Sequence, residues 1–170
     1  YINQGLDEDG DPIFELGYEF SREDDDSSSR TLAIADYDGD GDQDVFVPRK
    51  LGKNWLFENQ YITNSMGELI YQENLENIFI EKSADLFLDD SNIEIEGSTG
   101  YGAAWGDYDN DADFDLYLSN WGKNRLYRND DGEFINVADI YNLESDSLSN
   151  GAGWGDFNND GLIDLWAANF

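Results

Sequence analysis

A chain of 170 residues with 39 Asp and Glu against 9 Lys and Arg carries a formal net charge of −30. That charge excludes a nucleic-acid-binding face, which needs a basic patch, and argues against docking on anionic lipid. Cysteine and histidine are absent, which removes disulfides, thiolate metal sites and serine–histidine triads, while 10 Phe, 10 Tyr and 5 Trp supply the apolar material that a disordered acidic chain lacks.

In chain order, Tyr1-Ile2-Asn3-Gln4 and the apolar stretch Ile13–Phe20 read as the tail of a preceding unit, residues 1–20. Ser21–Ser29, SREDDDSSS, reads as a solvated connector. A longer unit spans residues 30–97. Its first strand is Thr31–Ala35, an acidic loop follows, and Val45–Val47 forms the next strand. The element Leu51–Gln60, LGKNWLFENQ, is an aromatic strand after a turn, and Glu68–Tyr71 is the expected outer strand. Extra residues fall at Tyr61–Met66 and Ser83–Glu96, and Leu75–Phe79 fits either a strand or a single helical turn.

The next unit, residues 98–145, repeats the plan. Gly102–Asn120 and Gly151–Asn169 share ten of 19 positions at an offset of 49. Trp121–Asp130, WGKNRLYRND, matches Leu51–Gln60 at five of ten positions, and Glu133–Val137 is its outer strand. Residues 150–170 supply the first half of one more unit. Four short strands per unit, at a period near 50, predict an all-β fold of four-stranded antiparallel blades. With two near-complete units and two halves, the chain is expected to be a partial propeller or a segment of a larger one, in one repeat domain over residues 1–170.

The three acidic loops have the pattern D-x-[DN]-x-D-[GA]-x-x-D. They place Asp36, Asp38, Asp40, Asp42 and Asp44 in the first loop, and Asp107, Asp109, Asp111, Asp113 and Asp115 in the second. The third holds Asp156, Asn158, Asp160, Leu162 and Asp164. Oxygen donors at positions 1, 3 and 5 converge when the chain curls, position 6 takes the bend, position 7 (Leu162 in the third loop) offers its carbonyl, and position 9 adds a carboxylate. This is a hard-oxygen set suited to Ca²⁺ at about three sites, and less to Mg²⁺ with its tighter octahedron. Two carboxylates 5 Å apart repel by about 3 kcal/mol at an effective dielectric of about 20, a sign that a divalent ion reverses. An EF-hand is rejected, because position 12 is Val47, Leu118 or Ala167 rather than Glu and the flanks are β-patterned. Plain acidic hairpin turns are the competing reading, and the threefold recurrence weighs against it.

The units resemble FG-GAP/VCBS repeats, the calcium-binding blades of integrin-α-type propellers. The resemblance rests on Trp105-Gly106-Asp107-Tyr-Asp-Asn-Asp111, on Asp115-Leu-Tyr-Leu and on Asn124-Arg-Leu-Tyr-Arg-Asn129. It implies a propeller with calcium between the first two strands of each blade, in a family mostly secreted or cell-surface and mostly acting by binding. The expected location is therefore extracellular, at the cell surface or periplasmic. The expected role is a non-enzymatic adhesion or binding scaffold for a protein or glycan ligand, without membrane insertion. A carbohydrate-binding or polysaccharide-active accessory domain is one alternative. A structural subunit that self-associates through open blade edges is another. Departures from the family pattern are Ala112 in place of glycine, expected to strain its bend, and Asn158 in place of aspartate, which lowers the third loop's charge.

Other residues have plainer expectations. Trp105 and Trp154 are expected to pack between blades rather than to serve as sugar platforms, and Trp166 to join the core layer of Tyr117. Trp55 and Trp121 lie in or beside turns, where exposure would make them ligand contacts. Asn54 and Asn124 are expected to satisfy turn backbone, and Lys53 and Lys123 to offset nearby acids.

Overall fold

The computed structural model describes residues 2–15, 29–50, 53–60, 79–86, 88, 100–145 and 147–169. The chain divides into two compact units, one formed by residues 1–25 and 60–79, the other by residues 26–59 and 80–170. In the first unit, β1 (Ile2–Leu6) and β2 (Pro12–Glu15) form an antiparallel hairpin with an irregularity between Asn3 and Gly5. Its acidic turn is an ordinary Asx-type loop: the Asp7 carboxylate accepts the N–H groups of Asp9 and Asp11, each at 2.9 Å.

The second unit is built from consecutive antiparallel strands. A four-stranded sheet runs in the order β3 (Ala33–Ala35), β4 (Asp44–Val47), β5 (Trp55–Asn59), β6 (Phe79–Glu81), the last strand starting at the unit boundary. A second runs β7 (Gly100–Gly106), β8 (Asp115–Asn120), β9 (Arg125–Asp130), β10 (Glu133–Asn136). The strands β11 (Ser149–Gly155) and β12 (Asp164–Asn169) pair as the first half of a third. Each sheet is a simple meander, as expected of blades, and no helix occurs among the described residues. β7 and β11 carry the same irregularity, between Gly100 and Gly102 and between Ser149 and Gly151. The repeat thus extends to a bulge.

The strands face each other through two apolar layers. Tyr37, Phe46, Leu56 and Leu88 meet Leu116, Leu118 and Tyr127 between the first two sheets, with Trp105 packed against them. Tyr117, Leu126, Val137 and Ala138 form the second layer, against which Trp154, Leu165 and Ala167 pack. The turns between second and third strands are closed by asparagine, as expected. Asn54 Oδ1 accepts the Arg49 N–H at 3.0 Å and Asn124 Oδ1 accepts the Asn120 N–H at 2.8 Å. Lys123 pairs with Glu144.

Three expectations change. The fourth strand of the first sheet is Phe79–Glu81, whereas Glu68–Tyr71 lies outside the described residues, as do most of Ser21–Ser29 and the stretch 16–20. Trp55 is buried, because it begins β5 rather than ending a turn, and the Arg49 guanidinium covers its ring at 3.8 Å. Trp166 does not join the layer of Tyr117. It is 67% exposed, because among the described residues no sheet packs on the outer face of β12. Trp105 and Trp154 lie between blades, and Trp121 is exposed, both as expected.

Candidate metal centre

All three acidic loops join the first and second strands of their sheets at the same station. In each, the position 1 aspartate accepts the N–H of position 6: Gly41 to Asp36 Oδ2 at 3.0 Å, Ala112 to Asp107 Oδ2 at 3.1 Å, and Gly161 to Asp156 Oδ2 at 2.9 Å. The position 9 aspartate accepts the N–H of position 2: Tyr37 to Asp44 Oδ2 at 3.1 Å, Tyr108 to Asp115 Oδ2 at 3.0 Å, and Phe157 to Asp164 Oδ2 at 2.9 Å. Position 5 accepts the N–H of position 7, from Asp42, Asp113 and Leu162 respectively. The backbone turns left-handed at position 4, where Gly39, Asn110 and Asn159 have φ of 72°, 62° and 60°. It does so again at position 6, where Gly41, Ala112 and Gly161 have 98°, 83° and 89°. Ala112 therefore holds a conformation suited to glycine, as its departure from the pattern implied.

The curl brings carboxylates together in two loops. Oxygens of Asp36, Asp38 and Asp40 lie within 4.8 Å of one another, and so do those of Asp107, Asp109 and Asp115. Asp42, Asp44, Asp111 and Asp113 fall outside these two groups. The third loop brings no three carboxylates so close among the described residues, because Asn158 stands at position 3 and instead donates to Asp160 at 3.0 Å. The Asp36 Oδ1 atom is buried and has no hydrogen-bond partner among the described residues. An orphaned carboxylate oxygen beside two further carboxylates is the donor chemistry of a hard divalent cation.

Position 9 has a second task. Asp44 and Asp115 are fully buried, and their second oxygens accept the N–H groups of Asn59 and Asn129 on the third strands, at 2.8 and 3.0 Å. These residues clasp the loop to the strand that follows. Burial pushes the Asp44 carboxyl up to about 7, with Asp38 and Asp42 pushing the same way, against the two N–H donors that pull it down. Burial likewise raises Asp115 to about 6, with Asp109 and Asp111 adding to it. Asp38 and Asp109 are raised too, first by burial and then by their neighbouring aspartates. The loops thus hold negative charge under stress, the condition a cation relieves.

The loop pattern alone did not flag the asparagines that close the clasp. Asn129 Nδ2 donates to the carbonyls of Tyr37 at 2.8 Å and Phe114 at 3.2 Å, and Asn59 Nδ2 to that of Gln43 at 3.2 Å. Their signal was present as the second matched Asn of the two aromatic strands. The Gly, Asn and Asn at position 4 were an equally readable sign of the left-handed turn.

A comparison with curated proteins returns no match. Residues 107–167, which hold the second and third loops and the strands around them, match the model of the FG-GAP-like repeat family.

Proposed function

We propose that the chain is a calcium-stabilised β-propeller module that serves as an extracellular binding or adhesion scaffold, with no catalytic step of its own. The observation that supports this reading is the common hydrogen-bond frame of the three loops, which in the first two gathers three carboxylates at the same station of the blade. Asp36, Asp38 and Asp40 would hold one ion, and Asp107, Asp109 and Asp115 another. Asp156, Asn158 and Asp160 would form a third, weaker site, because a neutral amide replaces one carboxylate. A bound ion supplies positive charge that cancels carboxylate repulsion. The protein's part is to keep the loops curled through the position 1 and position 9 aspartates, so that metal binding and folding are linked.

Calorimetric titration of the metal-free chain with Ca²⁺ tests the reading. Two tight sites and one weaker site are expected, and the double change Asp36→Asn with Asp38→Asn should remove one tight site and leave the others. Chelation should lower the melting temperature of the loaded protein. A folded chain that takes up no ion at millimolar Ca²⁺ would rule the reading out.

A carbohydrate-binding role has one observation in its favour. Tyr101, Trp121, Leu148, Ser149 and Asn150 line an open groove of about 310 Å³, where the exposed Trp121 ring meets Tyr101 at 5.9 Å. An indole beside an amide suits a pyranose face. A glycan array probed with wild type and Trp121→Ala, with and without chelator, separates this reading from protein binding.

A further inference from the structure

One buried side chain joins the first two acidic loops. Asn129, in β9, is fully buried, and every polar atom of its side chain is engaged. Its N–H donates to Asp115 Oδ1 at 3.0 Å, and its Oδ1 accepts the Gly132 N–H at 2.8 Å. Its Nδ2 donates twice, to the Phe114 carbonyl at 3.2 Å and to the Tyr37 carbonyl at 2.8 Å. Phe114 and Asp115 belong to the second loop, whereas Tyr37 belongs to the first loop, on the other four-stranded sheet.

A carbonyl shares one rigid peptide plane with the N–H of the next residue. The Tyr37 carbonyl therefore sets the plane that leads into Asp38, and the Phe114 carbonyl sets the plane that leads into Asp115. Asp38 is one of the three carboxylates that converge in the first loop, and Asp115 is one of the three in the second. A single amide thus holds the chain immediately before a candidate ligand at each site. Tyr37 is itself held on its other sides. Its N–H donates to Asp44 Oδ2 at 3.1 Å, its hydroxyl donates to Glu58 Oε2 at 2.8 Å, and its ring stacks on Trp105. A shift of its carbonyl therefore passes into the loop rather than being lost in a free side chain.

We propose that Asn129 couples the first two ion sites, so that Ca²⁺ bound at either loop raises the affinity of the other. The proposal rests on the calcium reading above. An ion that fixes Asp115 also fixes the Asn129 backbone and aims its amide at Tyr37. The first loop is then partly ordered before its own ion arrives, so the ordering cost falls mainly on one binding event. The effect runs equally in both directions, because coupling belongs to the pair of sites. Repulsion between the two ions opposes it, but the carboxylates around each ion and added salt reduce that repulsion.

Calorimetric titration of the full 170-residue chain with Ca²⁺ at high salt tests the coupling. Disabling the first loop with Asp36→Asn and Asp38→Asn should weaken the second site by about fivefold or more, the lower end of ordinary allosteric coupling. Disabling the second loop with Asp107→Asn and Asp109→Asn should weaken the first site by the same factor. Asn129→Ala keeps the N–H bond to Asp115 and loses the amide. In that background the factor should fall to near one while both sites still take up ion, a result that a merely structural asparagine would not give. Hydrogen exchange needs no change at Asn129. In the Asp36→Asn, Asp38→Asn protein, Ca²⁺ at the second loop should slow exchange across residues 36–44 more than across residues 156–164. Two tight sites that bind independently, a factor unchanged in Asn129→Ala, or exchange in residues 36–44 that ignores the second ion overturns the proposal and leaves calcium binding standing. A folded chain that binds no Ca²⁺ overturns both.

Discussion

Ala112 shows how one methyl group can test the loop geometry. Its φ of 83° matches the values of Gly41 and Gly161, whose hydrogen bonds it reproduces through its N–H to Asp107. A non-glycine residue there stores strain of about 1 kcal/mol or more. Ala112→Gly is therefore expected to stabilise the chain, partly offset by the greater freedom of glycine when unfolded. The net gain should raise the melting temperature by about 1–3 °C, since 1 kcal/mol moves a domain of this size by about 2–4 °C. A lower melting temperature would show that the loop is relaxed as it stands.

Among the elements, β7 has the tightest steric demand. Gly106→Ala places a methyl group inside the Trp154 ring, while Gly153→Ala adds one where nothing lies within 4 Å. The first should cost about 1–3 kcal/mol, as overpacking does, and the second should fall within about 0.5 kcal/mol of neutral. Denaturant unfolding of the two variants checks the contrast, and equal effects would count against the close approach of β11. The Trp154 indole also donates to the Ala104 carbonyl at 3.1 Å, which pins the approach. Much of this was legible from sequence. The acidic loops and inner strands stood out because the donors sit at alternate positions between short apolar runs and the whole unit recurs. Exposure was less legible. Trp154 and Trp166 are both tryptophans in well-patterned strands, yet one is covered by β7 and β8 while the other faces outward, which depends on what stands next to the blade. Trp55 differs from expectation for a related reason: it is the first residue of strand β5 rather than part of the turn before it, and Arg49 folds over the ring. The clasp by Asn59 and Asn129 escaped notice because an asparagine near a strand end has too many ordinary uses to be informative alone.

For the whole molecule, the net charge of −30 and the two buried aspartates make stability depend on pH. Asp44 and Asp115 are raised to about 7 and about 6, whereas an unfolded aspartate titrates near about 3.9. Between these values the folded chain binds more protons than the unfolded chain, so the stability of the metal-free protein falls as pH rises through that window. General charge repulsion acts in the same direction. The chelated chain should therefore melt several degrees higher at pH 5 than at pH 7.5. The loaded chain should show a smaller or opposite slope, because an ion prefers the ionised carboxylates. Replacing Asp44 and Asp115 together by Asn should flatten the chelated profile, if the variant's circular dichroism confirms a folded chain. An unaltered slope in that variant would assign the whole dependence to diffuse repulsion.

The buried aspartate that ends the loop in each four-stranded sheet touches two places at once, the loop's own second residue and the third strand of the sheet. A change in occupancy at the curl would be felt several ångströms away, along the rim-ward half of the blade, through a single carboxylate. Depletion of the ion should then peel such a blade from its periphery inward, leaving the innermost pair of strands as the last part to let go.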